Sequence, residues 1–380
     1  MNDTMHTSLD RRPVALVALV LGLGALGLAA CVILPGLLTS PQVRALYPLS
    51  VLVTATRALA IASLAAAALS ALRERAAGSP PGLGLWGGLA GLVAWAASTV
   101  GAPLVPATDG LGFVGLDWLV LDALVFALVL IPLERLWPRR AVGLARPGWR
   151  TDLGYFVVNH LAIHGLGLIG AAAAHASVGW LHAETSASGM AAWPLPVQIV
   201  VMLFVADLVQ YALHRAMHEV PILWRFHAVH HASEHMDALA GSRIHLAETL
   251  VTRSAIFATF HALGFPFEAF LGYAAIIAVQ GSFIHANVRL DYGWLEHVVV
   301  SPRYHHWHHA SDAEAIDTNY AGTFPIIDRL FGTWRLPAGR WPVRYGVVKE
   351  VIPETLLGQQ AFPFRSDVRA SGTPRDPASA

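Results

Sequence analysis

Charge is scarce in this chain. Of its 380 residues only 13% are Asp, Glu, Lys or Arg, about half the share that soluble domains carry. The 25 basic and 25 acidic residues cancel, which leaves no basic field of the kind that holds nucleic acid. Cysteine occurs once, as Cys31, and this excludes an internal disulfide and any cysteine-based zinc or iron–sulfur site. Two acidic metal signatures are missing as well. There is no H-E-x-x-H, the mark of zinc peptidases, and no Glu-x-x-His pair, which bundle-type di-metal carboxylate proteins need. What is plentiful is apolar residues, at 55%, and histidine, at 19. Any metal chemistry here is imidazole chemistry.

The mean hydropathy of +0.52 places the chain in the membrane class. A spanning helix needs about 20 apolar residues, and the stretches Val14–Leu38, Leu49–Leu72, Leu83–Val105, Phe113–Leu136, Leu153–Ala176 and Leu195–Leu213 meet that length. A longer run, Leu250–Ile284, is broken at Gly264-Phe265-Pro266, which predicts a helical hairpin that returns to its own side. Basic residues set the orientation. Arg11, Arg12, Arg73, Arg75, Arg135, Arg139, Arg140, Arg146 and Arg150 fall in one set of loops and Arg44 alone in the other. The N-terminus is therefore expected in the cytoplasm, and with it the end of the sixth span near His214 and both ends of the hairpin. A rival reading of the N-terminus is a lipoprotein signal ending at Leu28-Ala29-Ala30-Cys31. The apolar run continues past Cys31, longer than such signals are. The tail from Ser366 is rich in Ser, Pro, Ala and Arg and is expected to be disordered.

Histidine clusters where these ends meet. His214 and His218 form H-x3-H; His227, His230 and His231 form H-x2-HH; His305, His308 and His309 form a second H-x2-HH. Residues three and four apart share a helix face, so each motif can aim two or three rings at one point. Eight imidazoles exceed what one ion takes, since zinc uses three or four, and two adjacent metals are the economical explanation. An isolated histidine is ordinarily solvated or held in a core, and His6, His182 and His297, or His160, His164, His175 and His261 on apolar stretches, read that way. On the sixth span Asp207, Tyr211, His214 and His218 share one stripe. Asp207 is placed to accept the second ring N–H of His214 or of a neighbouring ligand, which would fix its tautomer. Eight neutral rings leave metal charge unbalanced, and Asp207, Asp237 and Glu248 are the outer carboxylates available. Imidazole suits Zn, Cu, Fe and Ni alike, so the residues by themselves stop at a two-metal, all-histidine site at a membrane face.

In order along the chain, Asp207, Tyr211, His214-Arg215-x-x-His218, Leu223-Trp224-Arg225-Phe226-His227-x-Val229-His230-His231, Met236-Asp237 and Arg243-x-His245-x-x-Glu248 resemble the core of the fatty acid hydroxylase/sterol desaturase superfamily. So do His285-x-Asn287, Pro302-Arg303-Tyr304-His305-x-x-His308-His309, Asp317-Thr318-Asn319-Tyr320 and Asp328-Arg329-Leu330-Phe331-Gly332-Thr333. The resemblance covers about residues 113–336. It implies two iron ions, O2 as cosubstrate, and electrons from a partner, expected to be a separate protein because no cytochrome b5-like segment is present. It carries over the eight motif histidines as ligands and adds His285 as a ninth. The neighbour His306 leaves the first ligand of the last motif open, and His245 reads as an outer group rather than a ligand.

The expectation is thus an all-α, polytopic membrane bundle with a cytoplasmic, histidine-rich helical cap over a two-metal site. Residues 1–110 would be an N-terminal membrane region, 111–340 the catalytic domain and 341–380 a C-terminal segment. The implied activity is hydroxylation or desaturation of a C–H bond in a membrane lipid, such as a fatty acyl chain or sterol. The reading from another class is a metal-binding or transport protein without oxidative activity. Transport sites sit near the bilayer midplane on broken helices, whereas these motifs gather at one face.

Overall fold

The computed structural model describes residues 13–39, 48–77, 82–99, 115–162, 192–290, 292–348 and 350–365. The far ends of the expected third and fifth spans and the tail from Ser366 lie outside them. Among the described residues all regular structure is helical, with two isolated antiparallel bridges, Pro138 to Val288 and Ala310 to Tyr345. The chain divides into two compact units, one of Met1–Leu133 with Ala141–Arg146, the other of Glu134–Arg140 with Pro147–Ala380.

In the first unit α1 (Pro13–Ile33) packs against α2 (Leu49–Ala76), α3 (Leu83–Ala97) and the start of α4 (Leu116–Leu136). Apolar residues cover these helices on all sides, as lipid requires. Helices α1, α2 and α4 are each long and apolar enough to cross a membrane. Ser63 Oγ sits 2.8 Å from the carbonyls of both Ala18 and Gly87, the hydroxyl cross-link that small-residue membrane interfaces use. Pro132 has no N–H to give its helix, and the turn before it, Phe126–Leu130, widens to π-helix. Cys31 is buried among Leu28, Val32, Leu52 and Val120.

The second unit carries the histidines. After helical residues 149–162 (α5) comes α6, Leu195–Glu219, the fourth helix fit to cross a membrane. It runs five residues past the expected exit at His214, so His214 and His218 stand on one continuous helix. Pro221 ends it and opens α7, Pro221–His231, because proline is tolerated in a helix's first turn and not in its interior. The hairpin is α8 (Leu246–Leu263) and α9 (Phe267–Phe283). Gly264 between them takes φ +68°, a left-handed cap that favours glycine. Helices α6, α8 and α9 close over Met202, Leu203, Ala206, Ile256, Phe260 and Tyr273. Short helices α10 (Pro302–His308), α11 (Pro325–Phe331) and α12 (Leu356–Ala361) complete the unit. Phe362, just after α12, packs on Tyr155, Ala228 and Val229, so residues well past 340 fold with the histidine-bearing helices.

Candidate metal centre

Nine histidines converge, in two groups. His214, His218, His227, His231 and His308 bring one ring nitrogen each to within 4.8 Å of one another, and His230, His285, His305 and His309 do the same. The groups adjoin, with the rings of His231 and His309 stacked at 4.4 Å. The two H-x2-HH motifs do not each serve one point, as their spacing alone suggests. His227 and His231 enter the first group and His230 the second; His305 and His309 enter the second and His308 the first. At 100° per residue, i and i+4 diverge by about 40° on one side and i+3 by about 60° on the other. Each motif therefore straddles the seam between the groups.

The nitrogen spacings fit metal ions. Nε2 of His227 lies 3.0 Å from that of His214 and 3.2 Å from that of His231. In the second group Nε2 of His230 lies 3.3 Å from that of His285, His285 3.0 Å from His305, and His305 3.1 Å from His309. Two imidazoles on one ion, with metal–nitrogen bonds of about 2.1 Å, have nitrogens about 3.0–3.4 Å apart. The outward nitrogens make the case stronger. Nδ1–H of His214 donates to the Tyr320 carbonyl at 2.7 Å, His230 to Arg243 at 3.0 Å, His285 to Gly281 at 2.7 Å and His308 to Thr318 at 2.8 Å. His227 donates to Glu248 Oε1 at 2.8 Å. A neutral ring protonated at Nδ1 carries its lone pair on Nε2, so His214 faces His227, and His230 faces His285, lone pair to lone pair. A cation between them removes that repulsion. Nε2 of His218 and of His308 are buried without a protein partner. Burial above all holds His230, His231, His305 and His309 well below the ordinary imidazole range, and His308 at about 3. These rings are neutral at pH 7, the form that ligates.

A strained loop presents two of the carbonyls. Asp317 and Asn319 have φ of +57° and +60°, a left-handed conformation that Asn and Asp tolerate best among non-glycine residues. The carbonyls between and after them, of Thr318 and Tyr320, reach His308 and His214. Asn319 is buried and pinned at both ends of its amide, Nδ2 donating to the carbonyls of Tyr304 and Arg335 and Oδ1 accepting from Arg335 N–H at 2.7 Å. Such backbone costs about 1–3 kcal/mol per residue and persists where its surroundings fix it. Beyond it, five consecutive N–H groups reach two buried carboxylates. Tyr320 and Ala321 donate to Asp328, and Gly322, Thr323 and Phe324 to Asp207.

The remaining nominated residues sort by what they touch. Asp207 accepts from the N–H groups of Gly322, Thr323 and Phe324 rather than from a ring N–H of His214 or of a neighbouring ligand. Its oxygens hold the loop that carries the Tyr320 carbonyl, and that carbonyl accepts the His214 N–H instead. Tyr211 OH meets Thr333 Oγ1 at 3.0 Å and its ring stacks on Phe331. Asp237 accepts from Ala240 N–H at 2.8 Å. Ala240 opens the turn whose Gly241 lies against His285, where a Cβ would meet its Nδ1 at 2.7 Å. His245 caps α8, its Nδ1 accepting from Ala247 N–H while Nε2–H donates to the Gln360 carbonyl. His306 turns away from both groups, with Nε2–H donating to the His285 carbonyl at 3.1 Å and Nδ1 accepting from Tyr345 OH at 3.0 Å. His160 meets its own helix at the Phe156 carbonyl, and His261 joins neither group. Sequence reasoning misses Asp152, which pairs with Arg243 in the interior at 2.5 Å and so steadies the carbonyl acceptor of His230. It also gives no role to Tyr345, Asn319 or Asp328.

Residues 199–333 match the model of the fatty acid hydroxylase family. Over 172 residues the chain is 34% identical to the ornithine lipid hydroxylase OlsE of Rhizobium tropici, covering 45% of this chain and 52% of that protein. It is 32% identical to the human alkylglycerol monooxygenase over 145 residues, 38% of this chain and 32% of that protein. The fatty acid hydroxylase vlmA of Lecanicillium is 31% identical over 160 residues, 37% of this chain and 42% of that protein. The matched stretch spans about half the length of these curated relatives or less. No solved structure matches the chain.

Proposed function

We propose, from the fatty acid hydroxylase domain that residues 199–333 form, that this multi-pass membrane protein hydroxylates a C–H bond in the hydrocarbon part of a membrane lipid. The observation that carries the reading is the pair of adjoining all-histidine groups with inward lone pairs. Two iron ions are the occupants, O2 is the cosubstrate and a separate protein supplies electrons. When bound, the irons provide the oxidising power that an unactivated C–H bond requires; the chain's own task is to hold, orient and shield. His214, His218, His227, His231 and His308 would hold one ion, and His230, His285, His305 and His309 the other. Glu248 and the carbonyls of Tyr320, Arg243, Gly281 and Thr318 fix ring orientation and tautomer. A cavity of about 30 Å³ touches both groups, lined by His218, His231 and His308 of the first and His309 of the second, with Trp224 and Ile316 among others. That is room for about one small molecule, a water or O2.

The long hydrocarbon substrate is then expected to arrive from the bilayer side. The relatives named for an ornithine lipid and for alkylglycerols support a lipid with a long chain and a polar head. The bias of arginine toward one set of loops supports a centre on the cytoplasmic face. Comparing lipid extracts of cells with and without the gene, grown under 18O2, tests the reading. A lipid one oxygen heavier and carrying 18O, present only with the gene, is the expected result. Identical lipid profiles at matched protein expression would sink it.

A further inference from the structure

Residues 320–324 are irregular backbone lying against the middle of α6 rather than beyond its end. Asp207, which receives three of their N–H groups, precedes the end of α6 at Glu219 by twelve residues, about 18 Å of helix. Phe324 joins the apolar cluster of α6, α8 and α9, its ring 5.8 Å from Phe204, which is deeper still. From there α11 climbs back, and Phe331 stacks on Tyr211 one turn nearer the end. Helix α6 has 25 residues, about 37 Å, against a hydrocarbon core of about 30 Å. Even with the whole surplus at the histidine end, only about 7 Å stands clear of the hydrocarbon. Asp207 is then about 11 Å inside it.

We infer that residues 320–331 form a re-entrant element of the bilayer, an irregular descent followed by α11, whose outer face of Ile326, Leu330 and Phe331 contacts lipid acyl chains. Irregular backbone at that depth is tolerated only where its polar groups are satisfied by protein, and in 320–324 all five N–H groups and four of the five carbonyls have protein partners. All five N–H groups of 320–324 reach Asp328 or Asp207. The Tyr320 carbonyl accepts from His214, Gly322 from Gln280 Nε2, Thr323 from Val300 N–H and Phe324 from Ile327 N–H. Ile326, Leu330 and Phe331 are 44, 69 and 51% exposed, on a helix whose other side buries Ile327 and Asp328 completely. The one cation on α11, Arg329, reaches His297 and lies over the Trp334 ring, so its charge is held by protein groups while its stem covers apolar surface. The inference rests on α6 crossing the membrane and is independent of the chemistry at the histidines.

The test uses the full chain with Cys31→Ala as background, reconstituted in phosphatidylcholine vesicles. Nitroxide labels are placed at Ile326→Cys and Leu330→Cys and, as a surface control, at Ala313→Cys. Relaxation by dissolved O2, which concentrates in acyl chains, is compared with relaxation by a water-soluble nickel chelate. The expected result is that O2 dominates at 326 and 330 and the chelate at 313, so that the ratio of the two reverses. Chelate dominance at 326 and 330 would put α11 in water and overturn the inference. Exclusion of both agents, with dipolar broadening between labels, would show a second copy of the chain on this face and overturn it equally. Two labelled positions guard against one that folds poorly.

Discussion

Glu248 accepts the Nδ1 proton of His227 at 2.8 Å, with both side chains closed off from water. Its other carboxylate oxygen has no hydrogen-bond donor. A negative charge therefore stands one imidazole away from the first histidine group. In the second group the outward protons of His230 and His285 go to backbone carbonyls instead. A dication among neutral rings needs compensating charge nearby. Glu248 and Asp317, which meets Nδ1 of His218 at 3.3 Å, hydrogen-bond directly to rings of the first group, whereas Asp237 acts on His285 in the second only at longer range. The two metal positions are thus inequivalent.

Replacing Glu248 by Gln keeps the shape and removes the charge. The expected outcome is a loss of about 10–100-fold in affinity at one metal position, the usual effect of deleting an outer hydrogen-bond partner of a ligand, with the second position unmoved. Titrating the purified variant with metal against a competing chelator measures both. Unchanged binding at both positions would remove Glu248 from the centre.

The intact chain should bind two irons after anaerobic loading. His231→Ala and His309→Ala each remove a ring from a different group, although the two rings are stacked. Each variant should fall toward one iron per chain, and the double variant toward none. Elemental analysis with Mössbauer spectroscopy decides it. A wild-type stoichiometry of one, or both single variants retaining two, would refute the division into five and four.

How much of this was legible beforehand depends on the kind of signal. The helices and the hairpin follow from apolar run length and the Gly264–Pro266 break, because those are local and periodic. The histidines announce themselves by crowding, which is compositional. Asp207 shows where such reading stops. Its place on the stripe with His214 is visible from spacing, yet its partners are backbone N–H groups more than a hundred residues later. The proton acceptor of His214 is a carbonyl, a group every residue carries and no pattern marks. The choice between His305 and His306 has the same character. Adjacent residues on a short helix point about 100° apart, and only the position of the helix tells which one faces the other histidines.

Acidification should empty and destabilise the centre. The rings of His230, His231, His305, His308 and His309 are held below their ordinary value by burial, whereas in the unfolded chain they protonate near 6.5. The unfolded chain therefore binds more protons in the window below about 6.5, and stability falls as pH falls. The slope is of order 1.4 kcal/mol per pH unit for each ring that stays neutral. Thermal midpoints and bound metal measured from pH 8 to pH 5 should be level above about 7 and drop together below about 6. A flat profile down to pH 5 would mean that these rings are not the coupled, neutral set described above.

The last prediction concerns the adjacent pair. His305 Nε2 meets His285 and His309 within 3.1 Å, whereas both nitrogens of His306 are engaged elsewhere, at the His285 carbonyl and Tyr345 OH. For His306 to take the place of a missing His305 it would have to leave two buried hydrogen bonds and swing through about 100° of helix azimuth. His305→Ala is therefore expected to lose the second metal with no rescue, and the His305/His306 double variant to bind no less than the single one. His306→Ala should keep both metals and lose stability instead, by about 1–3 kcal/mol, since it strands a buried carbonyl and a buried hydroxyl. Tyr345→Phe should show a milder form of the same loss. Metal content and thermal melts on membranes of matched expression separate the two effects. Retention of two metals in His305→Ala, abolished only when His306 is also removed, would mean that His306 can reach the metals and that its hydrogen bonds do not hold it.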